Sequence, residues 1–377
     1  MPTSASTQIT ALRGGSTTTM FTVIMAGGSG TRFWPMSRRS KPKQFLNISG
    51  KAPLIVETCD RMKGLSRDEE IIVVLGENHL KEAKSLLKER EIHFIAEPIG
   101  RNTAPCIGLG AIFASHLGCE GPIAFLPADH FFAKPYALLE DLRRAAKIAE
   151  SGVIVTLGIV PTRPETGYGY IQWKDEGPDS SKHPGHRVSA FVEKPTLEKA
   201  RQYITRGDYF WNAGIFVATP QTILRKIEET LPLLYRGLIQ VKKVMGTDAF
   251  DKVLKEVYEE LEGISFDYGV MEKTRSPVSV VPSDCGWSDV GSWQSLYEMR
   301  ETDHDAEGNL TEGECLLIDC KENVVSSAGG RMVACLGLQN ILVIDTRDAI
   351  LIANLNNSQA VRTVTERLKK NGREDLL

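Results

Sequence analysis

Short apolar segments rich in Val, Ile and Leu alternate with amphipathic segments from residue 21 to about residue 300. The apolar segments have the length and composition of buried strands, and they lie at 21–24, 71–75, 92–96, 123–126 and 153–160. This alternation predicts an α/β fold, Rossmann-like, with a mostly parallel mixed sheet covered by helices. Ligands of such sheets bind at the carboxyl ends of the strands.

Three helical patterns lie between these strands. Residues 136–150 place apolar side chains at helical spacing, and Gly152 follows as a candidate end of that helix. Asn78 is a candidate cap for a helix that begins near Leu80. The segment 103–116 is rich in Ala and Gly, which predicts a helix packed closely on the sheet.

The pattern changes after residue 300. Short β-type runs follow one another with no helical pattern between them, at 315–319, 323–327, 331–336, 340–345 and 349–354. They predict a small all-β domain, β-helix-like, followed by a charged tail that is either helical or disordered. These runs have apolar faces, which we expect to be buried either against the main domain or against a second copy of the chain in a homodimer.

The N-terminal residues are rich in Ser and Thr and lack the apolar core of a signal peptide. Three parts are therefore predicted. They are a disordered extension (1–20), with Met20 as a candidate start of the protein, a large α/β domain (21–300), and a C-terminal β domain with its charged tail (301–377).

Composition narrows the function classes. Hydrophobic residues make up 42% of the chain and charged residues 25%, which is typical of a globular protein. The net charge of −3 provides no basic field for nucleic acid, and no apolar run approaches the ~20 residues of a membrane span. The seven cysteines include no Cys-x-x-Cys pair, so reduced thiols in a cytoplasmic protein are expected.

The first strand leads into a glycine-rich loop, Ala26-Gly27-Gly28-Ser29-Gly30-Thr31-Arg32. Glycines allow backbone amides to approach a phosphate closely, and Arg32 and Lys43 add positive charge. The loop lacks the Gly-Lys-Ser/Thr of a Walker A motif, and Phe33 occupies the place of the third glycine of a dinucleotide fingerprint. A nucleoside triphosphate site is predicted, with a plain structural turn as the alternative.

Two carboxylates are candidates for metal binding. Asp129 follows the strand at 123–126 and lies at its carboxyl end, although a carboxylate there could equally cap a helix. Asp289 lies in the segment Gly-Trp-Ser-Asp-Val-Gly-Ser-Trp at 286–293. If the two side chains converge, they supply the hard oxygen ligands that Mg²⁺ prefers.

Polar clusters in the middle of the chain are candidates for a second substrate. Gly169 lies in a loop that allows close approach, and Glu193 and Lys194 place an acid and a cation at a strand end. These two charges could also be simply solvated. Asn212 offers a donor and an acceptor of the kind that recognise sugar hydroxyls.

Together these segments carry a family resemblance. The matching motifs are Ala-Gly-Gly-Ser-Gly-Thr-Arg-Phe-Trp-Pro at 26–35, Lys-Pro-Lys-Gln-Phe at 41–45, Glu-Pro-Ile-Gly-Arg-Asn-Thr-Ala at 97–104, Leu-Pro-Ala-Asp-His at 126–130, Thr-Gly-Tyr-Gly-Tyr-Ile at 166–171, Phe-Val-Glu-Lys-Pro at 191–195, Trp-Asn-Ala-Gly-Ile-Phe at 211–216, Phe-Asp-Tyr-Gly-Val-Met-Glu-Lys at 266–273 and Trp-Ser-Asp-Val-Gly-Ser-Trp at 287–293. The chain resembles the sugar-1-phosphate nucleotidyltransferases, and among them the mannose-1-phosphate guanylyltransferases, over about 21–355. The longer bifunctional relatives carry a further isomerase domain, for which this chain is expected to be too short.

The resemblance implies a reaction and a set of roles. A phosphate oxygen of α-D-mannose 1-phosphate would attack the α-phosphorus of GTP and release pyrophosphate, without a covalent enzyme intermediate or a general base. The loop at 26–32, Arg32 and Lys43 would hold the triphosphate, and Asp129 and Asp289 would ligate Mg²⁺. Lys194 would hold the sugar phosphate, and Gly169, Glu193 and Asn212 would line the sugar site.

We expect the segment 97–104 to determine which nucleotide base the protein binds. Guanine presents two adjacent donors, so a carboxylate is its complement, and Glu97 is the candidate acceptor, with Arg101, Asn102 and Thr103 shaping the pocket. Glu97 could instead cap the helix that begins near Asn102.

Three other functions compete with this one. The first is nucleotidyl transfer to another sugar 1-phosphate, since the phosphate-binding residues would be shared. The second is a catalytically silent paralogue that binds sugar nucleotides and regulates an active subunit. The third is a nicotinamide dehydrogenase, which the broken dinucleotide fingerprint disfavours.

Overall fold

The computed structural model describes residues 19–28, 30–174, 185–275 and 277–377. Most of the predicted N-terminal extension, residues 1–18, lies outside these residues. Thr19 and Met20 are packed against the domain, because the Thr19 hydroxyl donates to Glu70 at 2.6 Å and the Met20 amide donates to the carbonyl of Leu65 at 3.0 Å.

A nine-stranded mixed sheet forms the centre of the large domain, in the spatial order β3-β2-β1-β4-β9-β6-β10-β8-β7. Its strands are β1 Phe21–Ala26, β2 Ile71–Gly76, β3 His93–Glu97, β4 Ile123–Pro127, β6 Ile154–Ile159, β7 Gly169–Lys174, β8 His186–Glu193, β9 Tyr209–Ala218 and β10 Val278–Ser283. The pairings among β1 to β4 are parallel, as is β6 with β10, whereas β9, β7 and β8 bring antiparallel pairings. The predicted mixed sheet is confirmed, and its parallel half carries the glycine-rich loop.

Helices cover both faces of this sheet. They are α1 Leu54–Arg61, α2 Leu80–Leu86, α3 Thr103–His116, α4 Pro135–Ala149, α5 Leu197–Arg206, α6 Pro220–Thr230, α7 Pro232–Val244, α8 Phe250–Glu260 and α9 Trp293–Met299. Alternate residues of β1 belong to opposite cores: Val23 packs with the residues of α3 and α7, and Ile24 with those of α1 and α4. The strand is apolar throughout because it is buried on both sides.

The predicted helix at 103–116 is confirmed, and its small residues explain its closeness to the sheet. A Cβ on Gly110 would lie 2.6 Å from Cγ1 of Val23, and a Cβ on Gly108 would collide with Leu238 of α7. The prediction that Asn78 caps α2 is wrong. Asn78 lies inside a short 3-10 turn, Glu77–His79, and the helix that follows has no side-chain cap among the described residues.

The C-terminal part consists of short strands, β12 Leu310–Glu312, β13 Cys315–Ile318, β14 Val324–Ser327, β15 Val333–Leu336, β16 Ile341–Asp345 and β17 Ile350–Asn354. The order β12-β14-β16-β17 forms one sheet, and β13 pairs with β15 in a second. All pairings except β16 with β17 are parallel, as a β-helix-like domain requires. The charged tail is helical, with α10 at Val361–Lys370 and a 3-10 turn at Glu374–Leu376.

The apolar side chains of these strands divide between two environments. Leu310, Val324 and Leu342 are buried against Phe33 and Trp293 of the large domain, so packing between the two parts accounts for them. A second set remains exposed, formed by Leu316, Ile318, Met332, Leu336, Ile350 and Ile352. A homodimer through that exposed face therefore stays a prediction.

Two further observations concern the predicted environment. All seven cysteines are free thiols, and six of them are buried. Among the described residues, no helix has both the length and the apolar character that crossing a bilayer requires.

Candidate active site

The glycine-rich loop opens a cavity of about 530 Å³ at the carboxyl ends of β1 and β4. Its lining includes Gly28, Gly30, Arg32, Lys43, Asp129 and Asp289. The structure therefore brings both candidate metal ligands and both candidate phosphate-binding cations to one cavity, although Asp129 and Asp289 are far apart in the sequence.

A short antiparallel pairing explains how the two aspartates meet. The strand β5 (Phe131–Phe132) immediately follows the segment of Asp129, and β11 (Trp287–Ser288) immediately precedes Asp289. These two strands pair with each other, and the amide of Ala133 extends the ladder by donating to the carbonyl of Gly286 at 3.0 Å. The ladder holds the two aspartate segments side by side.

Gly30 fixes the loop against the segment of Lys43. Its φ is +59°, and a Cβ placed on it would lie 2.5 Å from the amide nitrogen of Lys43. Only glycine fits this contact, because any side chain would meet backbone in a conformation that L-residues rarely adopt. Gln44 adds a second tie, since its Nε2 donates to the carbonyl of Ala26 at 2.8 Å and to that of Gly28 at 3.3 Å.

The ammonium group of Lys43 joins three segments of the site. The side chain is buried, and its Nζ lies 3.0 Å from Oδ2 of Asp129 and 2.5 Å from the main-chain oxygen of Asp289. A buried ammonium is stable only with such partners. Burial would raise the pKa of Asp129, but the Lys43 charge and hydrogen bond outweigh it and hold that pKa below its usual value. Asp129 is therefore an anion at neutral pH.

The donor set fits a divalent cation whose remaining ligands come from a substrate. Asp129 is ionised, and its Oδ1 is not used by Lys43. Asp289 contributes a second carboxylate to the same cavity. No group of three or more His, Cys, Asp or Glu suited to a metal occurs within the described ranges. Mg²⁺ often takes one or two carboxylates together with phosphate oxygens, so two carboxylates are compatible with it.

Tyr168 connects this cavity to the second group of predicted residues. Its hydroxyl donates to Oδ1 of Asp289 at 2.7 Å, and its carbonyl accepts from the amide of Lys194 at 3.2 Å. The ring packs edge-on against Trp211 and Trp287, with centroids 5.2 and 5.1 Å away. This tyrosine therefore contacts both the candidate metal ligand and the candidate sugar-phosphate residue.

The predicted sugar-binding residues lie together. Gly169 pairs with Glu193 between β7 and β8, and a Cβ on Gly169 would collide with the Glu193 carboxylate. Asn212 lies next to them and donates from Nδ2 to Oδ1 of Asp267 at 2.7 Å. Burial, together with the nearby Glu193, raises the pKa of Asp267 to about 6. The Asn212 oxygen already accepts from Thr156 and Gly214, so its clearest role is to position Asp267.

Two residues of the site have left-handed backbone conformations. Lys194 has φ +46° directly before Pro195, and Val290 has φ +44° directly after Asp289. Neither a residue before proline nor a β-branched residue adopts this region readily, and such conformations concentrate at functional sites. The Lys194 ammonium lies 2.6 Å from Oε1 of Glu193 and remains half-exposed, so it is accessible to a ligand.

Glu97 ends β3 beside the start of the glycine-rich loop. Its side chain is only 4% exposed, and its Oε2 lies 3.7 Å from the position of a Cβ on Gly27. Burial raises its pKa to about 7, although the hydrogen bond from the Tyr258 hydroxyl, 3.1 Å from Oε1, opposes this shift. Glu97 does not cap α3, because the side chain of Asn102 does so by accepting from the amide of Thr103.

Three other residues of the segment 97–104 have structural contacts that the sequence did not predict. The Arg101 guanidinium donates to the carbonyls of Tyr258 and Glu259 at 2.8 and 3.1 Å, at the end of α8. Thr103 accepts from the amide of Phe266 at 2.8 Å. The side chains of Arg101, Asn102 and Thr103 thus hold helix ends, and Arg101 supports the backbone of the residue that contacts Glu97. That these three residues shape the base pocket stays a prediction.

Two predicted nucleotide-binding residues need separate mention. Ser29 lies outside the described residues. Arg32 lines the cavity and makes one long hydrogen bond, from Nη1 to the carbonyl of Gly291 at 3.4 Å, so it can turn toward a phosphate.

Comparison with known proteins agrees with this geometry. The Nucleotidyl transferase family matches residues 21–306, and the MannoseP isomerase/GMP-like beta-helix domain matches residues 313–368. The chain belongs to the nucleotidyltransferase family. The resemblance to its mannose-1-phosphate guanylyltransferases is also confirmed by curated relatives.

Two curated relatives and one solved structure match nearly the whole chain. Mannose-1-phosphate guanylyltransferase ManC of Salmonella typhimurium is 37% identical over 95% of this chain and 75% of its own length. A mannose-1-phosphate guanylyltransferase of Escherichia coli K12 is 37% identical over 94% of this chain and 75% of its own length. The crystal structure of a mannose-1-phosphate geranyltransferase from Thermus thermophilus superposes with a TM-score of 0.81 and 33% identity, covering 93% of this chain and 99% of that one.

Sequence reasoning missed four residues of this nucleotidyltransferase site. Gln44, Tyr168 and Asp267 all lie inside motifs that carried the resemblance, so the signal was present but no role was assigned. Arg362, which also lines the cavity, lies in the C-terminal helix and outside every such motif.

We expect Gly30→Ala to destabilise this nucleotidyltransferase by about 1–3 kcal/mol, because the new methyl group meets the Lys43 backbone at a positive φ. Gly28→Ala is the matched control, since among the described residues, chain neighbours aside, no atom lies within 4 Å of its Cβ position. Chemical denaturation of both variants measures the difference. Equal stability of the two would show that the loop does not press on Lys43.

Proposed function

We propose that the protein transfers GMP from GTP to α-D-mannose 1-phosphate, forming GDP-mannose and pyrophosphate. The observation that carries the proposal is the continuous contact from Lys43 and Asp289 through Tyr168 to Lys194, which joins a phosphate-binding cavity to a polar second site. The identity of the transferred group, guanylyl, and of the acceptor, mannose 1-phosphate, is inferred from the names of the relatives.

The triphosphate of GTP lies against the glycine-rich loop in this proposal. Gly28 and Gly30 line the cavity, where backbone amides of the loop would meet the phosphates, and Arg32 and Lys43 would contribute positive charge. Because Lys43 is already held by Asp129 and Asp289, it needs little reorganisation when the nucleotide binds.

The reaction is an in-line displacement at the α-phosphorus. A phosphate oxygen of mannose 1-phosphate forms the new P–O bond, and the bond from the α-phosphorus to its bridging oxygen breaks. Pyrophosphate leaves with the electron pair of that bond. The attacking oxygen is already ionised at neutral pH, so the residues of the site act by positioning and by charge stabilisation.

Mg²⁺ would be held by the carboxylates of Asp129 and Asp289 together with phosphate oxygens of the nucleotide. When bound, it would neutralise charge on the phosphates. Tyr168 orients the Asp289 carboxylate through its hydroxyl, and Lys43 orients that of Asp129.

The sugar phosphate lies on the Lys194 side. Its phosphate would replace Glu193 as the partner of the Lys194 ammonium, which leaves the Glu193 carboxylate free to accept from sugar hydroxyls. Asp267, held by Asn212, offers a second acceptor beside it. All seven cysteines are free thiols, which supports a cytoplasmic location for this reaction.

Guanine would lie beside Glu97 in this proposal. The ionised carboxylate would accept from the two adjacent donors of guanine, N1–H and the 2-amino group, whereas adenine lacks this pair. The burial of Glu97 next to Gly27 supports such a contact, because it is shielded from water and close to the first phosphate-binding residue.

The direct test is release of pyrophosphate from GTP, mannose 1-phosphate and Mg²⁺, with GDP-mannose identified as the product. We expect a chelator to abolish the activity, and Asp129→Asn or Asp289→Asn to lower kcat by about 100-fold or more. Asp284→Asn is the matched control, because its exposed carboxylate pairs with Lys134 outside the cavity. If the protein transfers GMP only to another sugar 1-phosphate, mannose 1-phosphate is not its substrate. If it binds the nucleotide but transfers nothing, it is a catalytically silent paralogue.

A second test addresses Glu97. Because its pKa is about 7, kcat/KM for GTP should rise as the pH passes through about 7, and Glu97→Gln should flatten this rise and weaken the preference for GTP over ATP. Tyr258→Phe keeps the carboxylate but removes its hydrogen bond, so the rise should move to higher pH. Unchanged preference and an unchanged profile in Glu97→Gln would remove Glu97 from the base site.

A further inference from the structure

The C-terminal helix places one charged residue in the nucleotide cavity. Arg362 is the second residue of α10, and its side chain lines the same cavity as Gly28, Gly30 and Arg32. Arg362 comes from the C-terminal part of the chain and adds a positive charge to the lining of the cavity.

The position of this helix is fixed by packing on the loop region. Val361 of α10 is buried in the core that includes Phe33 and Trp34, and Val364 and Leu368 pack against the same core. The helix also contacts the 3-10 turn Thr31–Phe33 directly. The backbone of Arg362 is therefore placed beside the 3-10 turn that follows the glycine-rich loop.

The guanidinium of Arg362 is available for a ligand. Its ion-pair partner is Glu366, one turn along the same helix, at 2.8 Å, and the Arg362 side chain is 74% exposed. Exposed pairs of this kind contribute little free energy, so a polyphosphate can replace Glu366. Lys43, by contrast, is committed to Asp129 and Asp289.

The course of the glycine-rich loop from Gly27 to Thr31 indicates which phosphates of a bound nucleotide would lie nearest Arg362. Its first glycine, Gly27, lies beside Glu97, where the base would bind. Its last residues reach the C-terminal helix, because Thr31 and Arg362 line both the nucleotide cavity and an adjoining cavity of about 290 Å³. A nucleotide extended along the loop would bring its terminal phosphates to the Arg362 end.

We propose that Arg362 binds the two terminal phosphates of the nucleoside triphosphate and holds the pyrophosphate as it leaves. This inference rests on the proposed function, since it takes the cavity to be a triphosphate site. It gives the C-terminal domain a direct part in substrate binding, because α10 supplies a cation at the end of the loop that lies away from Glu97.

The test uses the full chain and calorimetric titration with GTP, with pyrophosphate and with GMP. Arg362→Gln should weaken binding of GTP and of pyrophosphate by about tenfold, the effect of losing one charged hydrogen bond, and leave GMP binding unchanged. Arg362→Lys should recover part of the loss. Arg367→Gln is the matched control, because it removes the same charge from the same helix without touching the cavity, and it should bind like the wild type.

Wild-type affinity of Arg362→Gln for pyrophosphate would overturn the assignment, as would an equal loss of GMP binding or an equal loss in Arg367→Gln. The binding measurements need no sugar phosphate, so they are separate from the test of the reaction. A wild-type protein that binds GTP and pyrophosphate but forms no GDP-mannose would refute the proposed function and leave the role of Arg362 standing. A wild-type protein that binds neither would refute both.

Discussion

The buried ammonium of Lys43 is the interaction on which the rest of the site depends. A charge removed from water must be fully paired, and here the Asp129 carboxylate and the main-chain oxygen of Asp289 pair it. The backbone of the same residue is pressed against Gly30, where only glycine fits. The loop after β1, the end of β4 and the segment after β11 are thereby tied together around one ammonium group, and the carboxylates of Asp129 and Asp289 line the cavity beside it.

A second set of contacts extends this unit to the sugar side. Tyr168 donates to Asp289 and accepts from the backbone of Lys194, so two hydrogen bonds link the nucleotide cavity to the candidate sugar site. Left-handed conformations at Lys194 and Val290 lie on either side of this connection, which shows that local backbone preference has been overridden to place Lys194 and Asp289. Catalysis by positioning requires such fixed geometry, because the proposed reaction takes neither a base nor a nucleophile from the protein.

Local patterns in the sequence predicted the helix at 103–116, the strands of the parallel half and the β-helix-like C-terminal runs, because each depends on spacing within one segment. Motifs in the sequence also identified the candidate residues Lys43, Asp129 and Asp289, which the structure brings to one cavity and whose roles stay predictions. The contacts of Arg101 and Tyr168 and the position of Arg362 in the cavity were not predicted, since each depends on residues more than a hundred positions away in the chain. The pairing of β5 with β11, which makes the two aspartates meet, is likewise a tertiary contact without a local signal.

The central claim is that the hydrogen bonds of Tyr168 couple the nucleotide cavity, at Asp289, to the candidate sugar site, at Lys194. Single-turnover kinetics of Tyr168→Phe test it most directly, because the ring and its packing remain and only the hydroxyl that holds Asp289 is lost. We expect GTP affinity within about twofold of the wild type but a rate of GDP-mannose formation at least about tenfold lower, whereas Tyr203→Phe on α5 should leave both unchanged. A wild-type rate in Tyr168→Phe would contradict the account.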